Sequence, residues 1–337
     1  MSQRKATSVH RCTLVRGPFF TGLGLLLLLS GCGVRALNPA GPAAAAIADL
    51  WWVMFALSVV VFVGVMVALA IALRGPRVSD DRSDELGRRL VAVGGALIPG
   101  IIVLGLMVYN TYITVKLEEP PSPPVMTIDV ESHQWWWDVH YPDLDFTTAN
   151  EIHIPAGQSV MLRLDSQDVI HSFWVPELHG KRDMMPDFRG EFWLQADEPG
   201  TYRGQCAEFC GLQHAKMLFM VIAHEPEEFQ SWLQEQEAPR PEITDPQALR
   251  GQQVFLDEGC AACHAVRDTE ATGTLGPDLT NIASRHELGA GTLPNTPGNL
   301  AAWIVDSQQF KPGNRMPPSP MPGEDLRDLL TYLEHLR

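Results

Sequence analysis

Two short motifs place soft metal ligands at close spacing. Cys206-Ala-Glu-Phe-Cys210, followed by His214 and Met217, brings together two thiolates, an imidazole and a thioether. Thiolates select soft metals, and imidazole suits both copper and zinc. With an upstream histidine the set satisfies tetrahedral zinc. Met217 tips the balance toward copper, because a neutral thioether is a poor zinc ligand and a familiar weak axial ligand for copper. Two bridging thiolates with one histidine per metal would hold two coppers close enough to share one unpaired electron. The second motif, Cys260-Ala-Ala-Cys263-His264, has the form of a haem attachment site: two thioether bonds fix the porphyrin and the adjacent histidine reaches the iron. Cysteine pairs also bind zinc or exchange thiols, so its context matters. Two redox centres in one chain point to electron transfer.

Such ligands need rigid supports. Around the first motif the texture is of strands and turns: Val125 to Val130, the run Trp135-Trp136-Trp137, Glu151 to Ile154 and Val160 to Leu164, separated by Pro142, Asn150 and Pro155-Ala156-Gly157. Pro199-Gly200 turns into a strand that delivers Cys206. Residues 125–225 are expected to form a small antiparallel β-sandwich, which holds ligands in short loops at one end, within a domain spanning 120–235. Alternation along a strand sets Trp136 opposite to Trp135 and Trp137. Residues 236–246, rich in Glu, Pro and Gln, read as a linker. Residues 247–337 read as an all-α domain: Gly251 and Phe255 lie on a helical pattern before the haem motif, and a last helix carries Leu326, Leu329, Leu330, Tyr332, Leu333 and Leu336.

The N-terminal half places these domains. Arg4, Lys5, Arg11 and Arg16 precede an apolar run from Phe19 to Leu29, so residues 1–31 read as a signal peptide. Its removal takes away four basic residues and no acid, moving the formal charge from -15 to -19. A chain that acidic argues against nucleic acid as a partner. Trp51 to Leu73 runs 23 residues without a charge, and Leu90 to Tyr109 another 20, each long enough to span a bilayer. Together they predict a transmembrane hairpin over 45–118, with Pro99 causing a local kink and Gly94, Gly95, Gly100 and Gly105 giving surfaces for close packing. Five arginines between Arg74 and Arg89 place the connecting loop in the cytoplasm and both cysteine motifs outside, on the periplasmic or extracellular side of the cell membrane.

Resemblances sharpen this. Leu29-Ser30-Gly31-Cys32 resembles the lipobox of bacterial lipoproteins, which implies lipidation of Cys32. His171-Ser-Phe-Trp-Val-Pro, continuing into Cys206 to Met217, resembles the binuclear copper domain of cytochrome c oxidase subunit II, and the hairpin, Gln134-Trp135-Trp136-Trp137 and sandwich follow in the same order. The resemblance covers about 45–235 and implies a cupredoxin-like fold in which Cys206 and Cys210 bridge the coppers. It further implies His171 and His214 as terminal ligands, Met217 as a weak axial ligand, and the Glu208 carbonyl as the opposite one. The Glu208 side chain would reach a magnesium or manganese ion at the boundary with subunit I, and Trp135 would present an exposed ring where electrons enter. The region of Lys181-Arg182-Asp183 and Arg189 would face subunit I. Its loop is one residue longer than the family pattern, so the role of Arg189 stays open, and Ala92 replaces a glutamate found at the mouth of a proton path.

The C-terminal domain is similar to a class I cytochrome c, with Met316 before Pro317-Pro318 as the sixth haem ligand and Met321 as the competing choice. Cupredoxin plus cytochrome c in one chain resembles subunit II of the cytochrome c-fused haem–copper oxidases. That implies one covalent haem c, subunits I and III as partners, membrane lipid around the hairpin, and an external donor such as a soluble cytochrome c. It makes the chain the electron-entry subunit of a proton-pumping oxidase. The alternatives are the electron-entry subunit of a copper-dependent nitric oxide reductase, and a stand-alone membrane electron shuttle.

Overall fold

A computed structural model describes residues 35–75, 81–239 and 241–337; the signal peptide and Cys32 lie outside the described residues. Helix α1 (Pro42–Arg74) contains the first uncharged stretch and is long and apolar enough to cross a membrane, as is the helical stretch Asp84–Lys116. The latter joins α2 (Asp81–Ala92), a π-helical turn (Val93–Leu97) and α3 (Ile98–Lys116). The irregularity falls just before Pro99, whose missing N–H and ring bulk disturb the preceding turn. Both helices are tied to the extramembrane body. The Ala44 amide donates to the Leu178 carbonyl (3.2 Å), and the Trp193 indole N–H donates to the Leu117 carbonyl (2.8 Å).

The body is a sandwich of two five-stranded sheets. One has the order β3 (Phe146–Ala149), β2 (Trp136–Tyr141), β1 (Thr127–His133), β5 (Val160–Ser166), β8 (Gly190–Leu194). The other has the order β4 (Glu151–Pro155), β10 (Leu218–His224), β9 (Gly200–Cys206), β6 (His171–Trp174), β7 (Arg182–Met184). The β1–β5 and β4–β10 pairs are parallel, so the sheets are mixed where the sequence suggests an antiparallel sandwich. Period-two alternation specifies which side chains face inward but not the direction of the neighbouring strand. Trp137, Phe173 and Phe219 fill the centre of the sandwich, with Phe219 centred 4.9 Å from Trp137 and 4.6 Å from Phe173.

After α4 (Pro226–Glu237) the chain turns irregular until α5 (Pro246–Asp257), which opens the C-terminal helical domain. Asp245 caps α5 by accepting from the Gln247 amide at 2.8 Å. Helix α6 (Pro297–Asp306) and α7 (Gly323–Glu334) complete it, and α5 packs on α7 around Phe255, Leu329, Tyr332 and Leu333. The two helices approach closely at Gly251, where an added Cβ would fall 1.9 Å from the Asp328 carbonyl oxygen. Alanine would gain about 1 kcal/mol of helix propensity there. Against this, overpacking costs about 1–3 kcal/mol, and the obstacle is backbone that cannot swing aside. Gly251→Ala is therefore expected to lower the melting temperature of the helical domain; an unchanged or raised midpoint would show that the helices part without cost.

Candidate functional site

The sandwich brings one group of ligands together from separate elements. Cys206 ends β9, His171 opens β6, Cys210 sits in the loop that follows β9, and His214 starts a 3-10 turn that ends just before Met217. The Cys206 and Cys210 Sγ atoms lie 3.8 Å apart as free thiols, far beyond the length of a disulfide. His171 Nδ1 is 3.8 Å from Cys206 Sγ, while His214 Nδ1 is 3.7 Å and Met217 Sδ 3.8 Å from Cys210 Sγ. The Glu208 carbonyl oxygen is 3.2 Å from Cys206 Sγ.

This geometry discriminates between metals. His171, Cys206 and Cys210 offer donor atoms all within 4.8 Å of one another, whereas His214 falls outside that group. One tetrahedral zinc needs four donors at about 2.0–2.3 Å from a single point, and the two histidines here stand beside different thiols, with His214 outside the compact donor group. Each thiol has its own imidazole, with a carbonyl at one end and a thioether at the other. The donor set suits two soft ions bridged by sulfur.

The surrounding groups favour thiolates and a fixed imidazole. The two buried thiols are coupled: the hydrogen bond to Cys210, helped by His171 and opposed by burial, lowers the Cys206 pKa well below the ordinary thiol range, while the same contact, with burial, pushes the Cys210 pKa up. Burial opposes charge on His171, but Asp168 and Cys206 outweigh it and raise its pKa. Asp168 bonds the far ring nitrogen, Nε2, at 2.9 Å, leaving Nδ1 toward the thiols. A carboxylate behind a ligating histidine fixes its ring and tautomer. Burial also opposes charge on Asp168, yet the His171 ring and the Val169 and Gln134 amides hold it at about 2. Asp168 carries no periodic or spacing signal in the sequence.

Trp135 departs from expectation. Its indole N–H donates to the Cys210 carbonyl at 3.0 Å, so it touches the ligand loop, but its ring is only 8% exposed. The helical domain covers this region: Arg315 bonds Asp168 and Gln134 at 3.2 Å each, Gln213 donates to the Pro312 carbonyl at 2.5 Å, and the Leu218 amide donates to the Ala290 carbonyl at 3.1 Å. Trp136 stacks on His133 while Trp137 is fully buried, in line with strand alternation. Arg189 pairs with Asp165 at 2.8 Å, and the Glu208 carboxylate lies 3.9 Å from Lys181. Among the described residues no further histidine or acid joins Glu208 in a metal-binding group.

In the helical domain Cys260 lies in a 3-10 turn (Cys260–Ala262), followed by Cys263 and His264. His264 Nδ1 is 2.7 Å from the Pro277 carbonyl, so Nδ1–H donates and Nε2 is the nitrogen free for an iron. Burial lowers the His264 pKa, which favours the neutral, ligating imidazole. A Cβ on Gly276 would sit 2.7 Å from His264 Cε1, so only glycine lets the chain run flush against the ring. These features fit a covalently attached haem. Met316 has its backbone pinned, its amide donating to Asn314 Oδ1 (2.8 Å) and its carbonyl accepting from Ser307 Oγ (2.9 Å), while Met321 packs against the domain core.

Comparison with known proteins agrees in both halves. The profile of "Cytochrome C oxidase subunit II, periplasmic domain" matches residues 144–224 and that of "Cytochrome c" matches 248–337. Cytochrome c oxidase subunit 2 of Alkalihalophilus pseudofirmus is 39% identical over 93% of this chain and 95% of its own length. The Bacillus subtilis protein of the same name is 30% identical over 86% of this chain and 88% of its own. The crystal structure of the periplasmic domain of subunit II of Bradyrhizobium japonicum cytochrome oxidase is 30% identical, with a TM-score of 0.33, and covers 34% of this chain and 96% of its own.

Proposed function

We propose, on the premise that this chain belongs to the cytochrome c oxidase subunit II family, that it is the electron-entry subunit of a proton-pumping terminal oxidase whose oxygen-reducing site lies in a partner subunit. When bound, a haem and a copper pair supply one-electron chemistry; the chain holds them and sets their surroundings. Cys260, Cys263, His264 and Met316 would hold the haem. Cys206 and Cys210 would bridge the coppers, with His171, His214, Met217 and the Glu208 carbonyl as the outer ligands. One observation carries the reading: the helical domain sits directly against Trp135, which bonds the loop of Cys210. An electron arriving at the haem domain is thus delivered beside the copper ligands, and the ligands themselves are held by strands that resist movement on oxidation. Route and site together place electron entry on the periplasmic side of the bacterial inner membrane, above the two spanning helices.

The remaining partners follow the same reading. Phe209, between the two cysteines, is 77% exposed, and Ile170, which precedes the ligand His171, is exposed too. Apolar side chains around a ligand loop support a docking face for subunit I, with subunit III completing the complex. The Glu208 carboxylate would contribute to a magnesium or manganese site that subunit I finishes. The haem domain covers Trp135, so a soluble cytochrome c would deliver its electron to the haem rather than to the copper loop. The proposed divisions are a hairpin over 45–118, a copper domain over 120–235, a linker over 236–246 and a haem domain over 247–337; the irregular chain after Glu237 supports the linker.

Met316→Ala in the purified membrane complex tests this. The sulfur-to-iron band at the red edge of the oxidised haem spectrum should vanish while the haem stays covalently attached, and oxygen uptake from an external donor should fall at least tenfold. Met321→Ala should keep both. The reverse pattern would make Met321 the ligand, and uptake undiminished by loss of the band would remove the haem from the entry route.

A further inference from the structure

The contact between the two redox domains contains one buried cation, beside the Arg203–Glu287 ion pair and the hydrogen bonds of Glu151 with His286 and Thr148 with Asn281. Lys311 is 2% exposed and lies in the loop between the 3-10 turn Ser307–Gln309 and α7. Its ammonium donates to the carbonyls of Trp135 (2.8 Å), Lys216 (2.7 Å) and Gly289 (2.8 Å). A lysine has three donor hydrogens, and here each has an acceptor. Two acceptors belong to separate segments of the copper domain and the third to the haem domain. Trp135 is also the residue whose ring bonds the Cys210 carbonyl. The other buried cation of the haem domain, Arg285, bonds groups of its own domain. Arg315, which also crosses the boundary, has a side chain 64% exposed, and exposed pairs of that kind hold weakly and yield to salt.

We propose that Lys311 is the latch of the docked state: a positioning residue that fixes the haem domain on the Trp135 surface in the orientation that passes electrons to the copper loop. The proposal rests on the electron route given above. Its logic is one of unpaired acceptors. Without the ammonium, three buried carbonyls lose their donor, and a buried polar group left unsatisfied is costly. Water can replace the donor only if the two domains part. Docking and the satisfaction of these carbonyls are therefore one event. Burial, aided by the Lys216 charge, lowers the Lys311 pKa to about 7, so the test is set at pH 6, where the ammonium form dominates.

The amides of Leu218 and His286 report docking, because both donate across the boundary, to the Ala290 carbonyl (3.1 Å) and to Glu151 Oε1 (2.6 Å). In the full-length, copper- and haem-loaded protein, Lys311→Met should raise hydrogen exchange in the segments around these two amides at least tenfold. Exchange in β5 and α7, the haem band and the copper resonance should stay as they are, and the rate of copper reduction by the haem domain should fall at least tenfold. Lys311→Gln keeps two donors and should lie between; it decides the matter if the methionine variant does not fold. Unchanged exchange at both segments would overturn the latch. Raised exchange with an unchanged transfer rate would overturn the positioning role and leave the electron route standing, whereas copper that the haem domain does not reduce in the unaltered protein would overturn the route itself.

Discussion

Replacing Cys206 or Cys210 with serine is expected to abolish the paramagnetic signature of one electron shared between two copper nuclei and to lower the copper content below two per chain. The reason lies in the arrangement of the thiols. They stand 3.8 Å apart, each facing its own imidazole, so each sulfur must serve both ions if the two metals are to sit between them. A serine hydroxyl is a hard donor that stays protonated at neutral pH, and it cannot supply the soft anionic bridge that copper selects. With one thiolate gone, the chain would offer the two ions unequal surroundings, which disfavours a shared electron. Met217→Leu gives the contrast. Its thioether, 3.8 Å from Cys210 Sγ, would serve as a weak end ligand, so the shared signal should be retained while the potential moves. A serine variant that keeps the shared signal would show that its sulfur is not a bridge, and a single zinc in the unaltered protein would refute the copper assignment as a whole.

How much of this the sequence discloses depends on how local each feature is. Cys206, Cys210, His214 and Met217 lie in one loop and turn, so spacing alone brings them to one place. Cys260 to His264 is the same case. His171 lies 35 residues before Cys206 and enters through family resemblance rather than spacing. The disturbance before Pro99 is legible because a missing N–H acts on its own turn. The parallel strand pairs are not, since alternation is the same whichever way the neighbour runs. The burial of Trp135 depends on a domain that begins more than a hundred residues later, and the bond from Lys311 to its carbonyl spans 176 positions. Nothing in the composition around Lys311 distinguishes it from a solvated surface lysine. Asp168 is similarly silent until the fold sets it behind the His171 ring.

Deletion of residues 240–337 carries the second large effect. It removes the haem domain and uncovers Trp135 together with Asp168, the carboxylate that Arg315 otherwise engages. With a small-molecule reductant as the electron source, turnover should collapse relative to the intact protein and recover in proportion to added soluble cytochrome. The tether explains the size of the change. A linked donor acts at an effective concentration of about millimolar, and that advantage disappears with the link. Undiminished turnover with the small-molecule reductant alone would mean that electrons reach the copper loop by a path that bypasses the haem domain.

Rapid photoreduction of the haem in the intact protein, followed by the copper absorbance, tests the central claim directly. Copper reduction should follow haem reduction as a single first-order phase whose rate stays constant over a hundredfold dilution of the protein, because the donor is already seated beside the ligand loop. A rate that rises in proportion to protein concentration would contradict this and show that the haem domain of one molecule serves the copper of another.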